Sequence, residues 1–246
     1  NHVGYAGLPL SVAGPLKIEG TYAQGNFYVP LATVEGTLSL SMTRGCYLTH
    51  LAGGIKTTHV KQELSRAPVF RFDEVGEMAP FMDLIDAHYD EIKAAAESTT
   101  RHGKLLRIEK HPIHNRVILD FIYHTGEAAG QNMVTMSTDA ACRFIVENLS
   151  SSVPHRYLLE SNFNADKNPA HRSLISGRGH HVIGSFQISD RLCRKLLRVG
   201  VDDLLEACTE MQLGSQLTGM LGFNLHNANA LAALYLALGQ DVACVA

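Results

Sequence analysis

The pattern of apolar and polar positions changes its period several times along the chain. Residues 1–32 are rich in glycine, proline and β-branched residues, which predicts extended segments joined by turns. An apolar-rich run follows from Thr33, a residue suited to cap a helix, and ends at Gly53 and Gly54, which are typical of a helix end. The chain is therefore predicted to begin with strands and to continue with one long helix.

The middle of the chain alternates between strand-like and helix-like patterns. The resulting order, β-α-β-β-α-β, is that of a ferredoxin-like unit. The predicted elements are a strand at 55–72, two helical pieces within 76–97, strands at 105–110 and 117–123, a helix at 133–148 and a short strand at 157–159.

After Pro169 the pattern becomes mainly helical, with a strand predicted at 181–188 and helices at 190–197, 203–220 and 227–238. We therefore expect an α+β fold in which a small ferredoxin-like domain is inserted into a large, mostly helical one. The predicted boundaries are 1–55 for the first part of the large domain, 56–160 for the small domain and 161–246 for the second part.

Composition narrows the class of protein. With 46% hydrophobic and 18% charged residues, the 246-residue chain can bury a sizeable core, and the net charge of -3 gives no sign of nucleic-acid binding. The five cysteines lack paired spacing, which favours reduced thiols of a cytoplasmic protein over disulfides or a metal site. No apolar run has transmembrane length, and no signal peptide is recognised. Both ends look cut, so we expect flanking residues outside this chain.

Three charged residues are candidates for chemistry. Lys167, between Asp166 and a proline, is held in a turn where its ammonium group could stabilise an oxygen that gains negative charge; the alternative is an ordinary solvated lysine. Glu35, at the start of an apolar helix, is either a carboxylate stabilised by the helix dipole or a buried proton donor. Asp241 follows a predicted helix end and is either a surface acid or a functional one; because the helix dipole disfavours an acid there, the functional role is favoured.

Other segments have the composition of ligand-binding sites. Arg44 and Arg66 each precede a small residue, so they could bind a carboxylate or phosphate, or else form structural ion pairs. His226 lies among amides at a helix start and is either a substrate ligand or structural. The small-residue loop 126–132 precedes a helix, and the loop 98–104 offers hydroxyls and cations; both would suit a phosphate.

Taken together and in order, these segments resemble the 3-hydroxy-3-methylglutaryl-CoA (HMG-CoA) reductase family, in its class I type. Each motif is weak alone, but the ordered set is specific and covers nearly the whole chain. The motifs are VGY (3–5), VAGPL (12–16), VPLATVEG (29–36), RGC (44–46), RAPV (66–69), GQNM (130–133), DKNPA (166–170), GRG (177–179), GFN (222–224) and GQD (239–241).

The resemblance implies a chemistry and a set of residues for it. The family reduces a thioester to an alcohol with two hydride transfers from NADPH, which here would convert HMG-CoA to mevalonate. Lys167 matches the lysine that stabilises the oxyanion, Glu35 the glutamate that supplies a proton to the aldehyde oxygen, and Asp241 the aspartate that couples the two. A fixed cation beside a neutral acid is what hydride addition to a carbonyl requires.

The resemblance also implies binding residues. Arg66, His226 and Asn229 match the acyl-group pocket, and Arg44 matches a CoA contact. The positions that match the NADP(H) site are Thr100, Arg101, Glu127, Ala128, Ala129, Gly130, Gln131 and Asn132. Family members are homodimers with the active site at the subunit interface, so a homodimer is expected.

Four departures from the family pattern bear on the substrate and cofactor. Glu127 replaces an aspartate in the cofactor loop, Glu160 replaces a serine near the substrate carboxylate, and Asn168 replaces a second lysine. The family's histidine that protonates the departing CoA thiolate would lie on a C-terminal flap beyond Ala246. Two alternatives to an HMG-CoA reductase therefore stay open: a reductase of a different acyl-CoA, because of Glu160 and Asn168, and a catalytically silent protein that binds CoA or a nucleotide.

Overall fold

In the computed structural model, residues 1–149, 154 and 156–245 are described. Their strands are β1 (Leu10–Gly20), β2 (Gln24–Ala32), β3 (Ile55–Arg66), β4 (Val69–Arg71), β5 (Lys104–Ile113), β6 (Arg116–His124), β7 (Tyr157–Leu158) and β8 (Gly179–Ser185). Their helices are α1 (Gly36–Leu51), α2 (Met78–Ala87), α3 (Tyr89–Glu97), α4 (Gln131–Phe144), α5 (His171–Ile175), α6 (Asp190–Leu192), α7 (Val201–Thr218) and α8 (Asn227–Leu238). The predicted α+β class agrees with this mixture of helices and strands.

The chain divides into two units. Unit 1 contains residues 1–60, 167–174 and 182–246, and unit 2 contains residues 61–166 and 175–181. Residues 150–153 and 155, which the predicted small domain includes, lie outside the described residues. Every candidate catalytic residue falls in unit 1, whereas the candidate cofactor residues fall in unit 2.

Unit 1 is built on a β-hairpin covered by helices. Strands β1 and β2 pair antiparallel from Leu10 opposite Ala32 to Glu19 opposite Gln24. Helix α1 packs on β1 and helix α8 on β2. Their small apolar core consists of Ala13, Leu31, Leu38, Cys46 and Ala233.

The start of α1 differs from the sequence prediction. Thr33 was expected to cap the helix, but the helix begins at Gly36 with Glu35 at the N-cap position. The Thr33 hydroxyl instead accepts a hydrogen bond from the backbone N–H of Glu35 at 3.0 Å. The threonine therefore closes the turn before the helix, and this turn is what holds Glu35 at the helix entrance.

Unit 2 is an antiparallel sheet with helices on one face. Strand β6 pairs with β5 along one edge and with the end of β3 and with β4 along the other, and β7 pairs with β4. Residues 55–72, predicted as one strand, form two, because the segment bends at Ala67 and Pro68, and proline has no N–H for the ladder. The Pro68 carbonyl still accepts from the Leu119 N–H at 2.9 Å, so the pairing resumes at once.

Alternation along β6 places the core of unit 2 on the face covered by α2, α3 and α4. Val117, Leu119, Phe121 and Tyr123 point to that face and are at most 1% exposed. The Tyr123 hydroxyl shares a 2.9 Å hydrogen bond with the Thr138 hydroxyl of α4, which satisfies the polar end of a buried ring. Each fully buried large side chain stabilises the unit by about 1.5–3 kcal/mol. Within the described residues, no helix is long and apolar enough to span a membrane.

Candidate active site

Lys167 is held by its backbone and by an ion pair. Its φ is +61°, a left-handed conformation that costs a non-glycine residue roughly 1–2 kcal/mol. Asn162 and Ala165 also have positive φ, so the chain turns tightly just before the lysine. The Lys167 Nζ lies 2.7 Å from Oδ2 of Asp241. Both side chains are about half exposed, so the ammonium group is fixed in direction but still open to a ligand.

Asp241 is positioned by the end of helix α8. That helix ends at Leu238, and Gly239 closes it with φ +70°. The Asp241 Oδ1 then accepts the Ala243 N–H at 3.0 Å, which leaves Oδ2 for the lysine. The hydrogen bond from Lys167 and that from the Ala243 backbone hold the pKa of Asp241 below its usual value. Asp241 is therefore ionised at neutral pH and keeps a negative charge beside the ammonium group.

Glu35 pairs with the other end of the same helix. The Asn229 Nδ2, in the first turn of α8, donates to Glu35 Oε2 at 2.8 Å. Glu35 is exposed in the single chain, so the burial considered for it from the sequence is not found there. His226 is the N-cap residue of α8 and is exposed, three positions before Asn229. Unit 1 thus brings the candidate catalytic residues into two hydrogen-bonded pairs, Lys167 with Asp241 and Glu35 with Asn229.

Glu160 has a partner within unit 2. Its Oε2 lies 2.5 Å from Nη1 of Arg66, at the end of β3. The same oxygen accepts from Asn164 Nδ2 at 2.8 Å, and the other oxygen accepts the Asn162 N–H at 2.6 Å. Of the two roles considered for Arg66, the ion pair is therefore present in this structure. The sequence had not revealed the role of Asn164, which is only 5% exposed; an asparagine two residues before Asp166 was the available signal.

The two segments proposed for the cofactor lie side by side in unit 2. Gly130 is the N-cap residue of α4, with φ +82° and no side-chain cap hydrogen bond, so the positive end of the helix dipole lies at this loop. A methyl group added at Gly103 would lie 2.8 Å from the sulfur of Met133 in that first turn. The turn that contains Thr100 and Arg101 is closed by N–H groups of residues 102 and 103 donating to the Thr100 hydroxyl. The turn that contains Thr100 and the first turn of α4 thus lie next to each other.

The remaining candidate residues are exposed. Arg44 lies on α1, and Asn168 follows Lys167 directly. Glu127, Ala128 and Ala129 form the exposed part of the loop before α4. Exposed residues can bind a ligand, but the positions of these side chains do not indicate which ligand that would be.

One cluster in unit 2 has the residue types of a metal site. Ligand atoms of Glu109, His111 and Asp120 lie within 4.8 Å of one another on β5 and β6. Arg107 Nε, however, lies 2.8 Å from Glu109 Oε1. The guanidinium group therefore already supplies positive charge to this cluster, and we assign no metal to it.

The fold and these contacts define a mixed α/β protein with a curled sheet and an exposed lysine–aspartate pair. Among solved structures, it is similar to the 3-hydroxy-3-methylglutaryl-coenzyme A reductase of Streptococcus pneumoniae, with a TM-score of 0.69, 18% identity, and coverage of 97% of this chain and 61% of that one. A second, described as the class II reductase of that organism bound to NADPH in open conformations, has a TM-score of 0.66 at 19% identity and covers 97% of this chain and 62% of its own. At these identities the likeness shows the fold.

Sequence comparison gives the family. A profile described as hydroxymethylglutaryl-coenzyme A reductase matches residues 1–246. The 3-hydroxy-3-methylglutaryl-coenzyme A reductase of Methanocaldococcus jannaschii is 38% identical over 99% of this chain and 61% of its own length, and that of Haloferax volcanii is 37% identical over 100% and 60%. The chain therefore belongs to the hydroxymethylglutaryl-coenzyme A reductase family, as the motifs predicted. It spans about three-fifths of the length of these relatives.

Proposed function

We propose that the protein reduces HMG-CoA to mevalonate with two equivalents of NADPH and two protons, and releases CoA and two NADP⁺. The observation that carries this proposal is the Lys167–Asp241 ion pair at 2.7 Å, formed by two residues that lie far apart in sequence and both match catalytic positions of the family. The relatives at 37–38% identity, all named as this reductase, support it.

The residues of unit 1 suit the charge changes in this reaction. Each hydride addition turns a carbonyl oxygen of the substrate into an oxyanion, and the half-exposed ammonium group of Lys167 stabilises that charge. Asp241 orients the ammonium group and keeps it protonated. Glu35 supplies a proton to the oxygen of the aldehyde formed after the first addition, and the amide of Asn229 fixes the carboxyl group by its 2.8 Å hydrogen bond.

The residues of unit 2 fit a dinucleotide phosphate. The N-terminus of α4 favours a negatively charged group through the helix dipole, and Arg101 is exposed in the adjacent turn. NADPH, when bound, supplies the hydride. Gly130, with φ +82°, lets the backbone enter the helix without a side chain over the N-terminus of α4. We propose that Thr100 and Arg101 contact the phosphates and that residues 127–132 contact the remainder of NADPH.

We further propose that unit 2 is the ferredoxin-like small domain and unit 1 the large domain of the family. The antiparallel strand order β7, β3/β4, β6, β5 with helices on one face supports this assignment. Arg44, His226 and Asn168 are proposed as CoA or acyl contacts by their place in the motifs. The class I type, the homodimer and the cytoplasmic location stay predictions from the sequence.

The experiment that tests the proposal is NADPH oxidation, followed at 340 nm, with purified full-length protein and HMG-CoA. Mevalonate and CoA should appear in a 1:1 ratio with two NADPH consumed. A protein that binds CoA or NADPH but oxidises no NADPH with HMG-CoA would instead be the catalytically silent binding protein. Replacing HMG-CoA by other acyl-CoAs separates that outcome from a reductase of different specificity.

A further inference from the structure

The Arg66–Glu160 ion pair is an unusual use of a guanidinium group that the family motif assigns to substrate. Arg66 is nearly buried, with its side chain 12% exposed, whereas Glu160 is 37% exposed. The Arg66 Nη1 donates to Glu160, and within the described residues the Nη2 has one long contact, 3.4 Å to Gln131 Oε1. Its Nε is buried and has no hydrogen-bond partner among the described residues. The guanidinium group therefore retains donors that its present partners leave unused.

Glu160 is held in place by its surroundings. The Asn162 N–H and the Asn164 amide bind its two oxygens, and the same amide also contacts the Ser65 carbonyl at 3.3 Å. The next residue, Ser161, donates both its N–H and its hydroxyl to the Ala67 carbonyl, at 3.0 and 2.7 Å. These bonds fix the loop against the chain segment that carries Arg66. The carboxylate is therefore preorganised on the arginine and does not have to be ordered from solvent.

The Arg66–Glu160 ion pair weakens the electrostatic attraction of Arg66 for a ligand carboxylate. A free guanidinium group attracts a carboxylate and can bind it through two parallel hydrogen bonds. With Glu160 in place, the pair has no net charge, and a second carboxylate that approaches Arg66 also approaches an acid. An acyl chain without a carboxylate is not repelled by Glu160.

We propose that Glu160 is a resident competitor of the substrate carboxylate and thereby sets the acyl specificity of the enzyme. A carboxylated acyl-CoA must displace Glu160 from Arg66 or bind beside it, whereas an uncharged acyl-CoA binds without disturbing the pair. This inference rests on the proposed function, because that function places the acyl group at Arg66. The proposal predicts that the enzyme prefers HMG-CoA only weakly over its uncharged analogue, and that Glu160 is the cause.

The test compares wild type with Glu160→Gln and Glu160→Ser. The two substrates are HMG-CoA and 3-hydroxy-3-methylbutyryl-CoA, which has a methyl group in place of the carboxymethyl group. Glutamine keeps the size and the acceptor for the Asn162 N–H but removes the charge. We expect each variant to lower the KM for HMG-CoA at least about tenfold, to leave the KM for the uncharged analogue within about twofold, and to change kcat much less than KM.

A matched control removes a comparable ion pair elsewhere in unit 2. Glu63 accepts two hydrogen bonds from Arg107, at 2.7 and 3.1 Å, and neither residue contacts Arg66 in the described structure. Glu63→Gln should therefore leave the ratio of the two KM values unchanged. An equal shift in Glu63→Gln and Glu160→Gln would show that the ratio responds to any loss of charge and would overturn the proposal.

Calorimetric titration separates this inference from the proposed function. If no acyl-CoA supports NADPH oxidation, the proposed activity fails, but the Kd values of both acyl-CoAs can still be compared. Tighter binding of HMG-CoA alone to Glu160→Gln, by about tenfold, supports the competitor role. Unchanged affinity for HMG-CoA, or equal gains for both acyl-CoAs, contradicts it, and so does the absence of binding to every variant.

Discussion

At the scale of single residues, the proposed catalytic centre depends on how Lys167 is restrained. A left-handed backbone at φ +61° and the 2.7 Å contact to Asp241 both limit where the ammonium group can lie. Exposed ion pairs contribute at most about 1 kcal/mol to stability, so this pair has little value as a structural element. Strained backbone conformations tend to occur at functional sites, which agrees with a chemical role for the lysine.

Replacing the lysine should remove activity and spare the fold. Lys167→Met keeps the apolar stem but not the charge, and we expect kcat to fall roughly 10²- to 10³-fold, as for loss of an oxyanion donor. The free energy of unfolding should change by no more than about 1 kcal/mol. Steady-state kinetics and urea denaturation measure the two effects.

Lys17 supplies the matched control, since it forms a similarly exposed pair with Glu19 at 2.9 Å in the same unit. Lys17→Met should leave kcat unchanged. If the two substitutions reduce kcat equally, Lys167 has no special role in the reaction.

The stability of the fold at low pH should depend on the Lys167–Asp241 ion pair. Because the pKa of Asp241 is lowered in the folded protein, its ionised form stabilises the fold at pH values above the ordinary value of about 3.9. That contribution is lost as the pH falls through the lowered pKa. The difference in Tm between wild type and Asp241→Asn should thus be constant from about pH 5 to 7 and should vanish in stronger acid. Circular dichroism melts would refute this if the difference grew as the pH fell.

Residue patterns predicted some of these partners and not others. The motif order indicated that Lys167, Asp241 and Glu35 act together, and the structure places the first two in contact. The Arg66–Glu160 pair was not predicted, because the two residues are 94 positions apart and only the folded sheet brings them together. A motif gives the identity of each side chain, whereas its partner depends on the tertiary structure.

At the scale of elements, local chemistry determined most boundaries. Helix α8 was predicted at 227–238 and is found there, because Gly239 adopts the left-handed conformation that ends a helix. The strand predicted at 55–72 is interrupted at Pro68. The prediction missed this break because Pro68 lies within an apolar run. Helix α4 begins at Gln131, two residues before its predicted start, because Gly130 with φ +82° is already at the N-cap position.

The entrance to α4 can be tested at Gly130. A Cβ there would lie 2.4 Å from the Thr125 Cγ2, and the positive φ would cost alanine roughly 1–2 kcal/mol more. We expect Gly130→Ala to lower the free energy of unfolding by at least that amount and to raise the KM for NADPH. Urea denaturation and initial-rate kinetics give the two values.

Gly76 is the control in the same unit, since no atom of the described residues lies within 4 Å of a Cβ placed there and its φ is not in the left-handed range. Gly76→Ala should change the free energy of unfolding by less than about 1 kcal/mol. Similar losses of stability at both positions would show that the strain at Gly130 is unimportant.

At the scale of the whole molecule, the proposed catalytic residues and the proposed cofactor residues fall in different units. Unit 1 holds Lys167, Asp241, Glu35 and Asn229, and unit 2 holds the α4 entrance and the Arg66–Glu160 pair. The order of predicted elements led us to expect a small domain inserted into a larger one, and that arrangement stays a prediction. The curled sheet and the contacts within each unit needed the folded structure, because long-range pairing leaves no local signal in the sequence.

The most direct test of the catalytic proposal is NADPH oxidation with HMG-CoA by full-length wild-type protein and Lys167→Met, measured side by side at 340 nm. We predict that the wild type consumes two NADPH for each mevalonate formed, and that the variant binds NADPH with unchanged affinity but turns over at least about 100-fold more slowly. Equal turnover by the two proteins, or no HMG-CoA-dependent oxidation by the wild type, would contradict it.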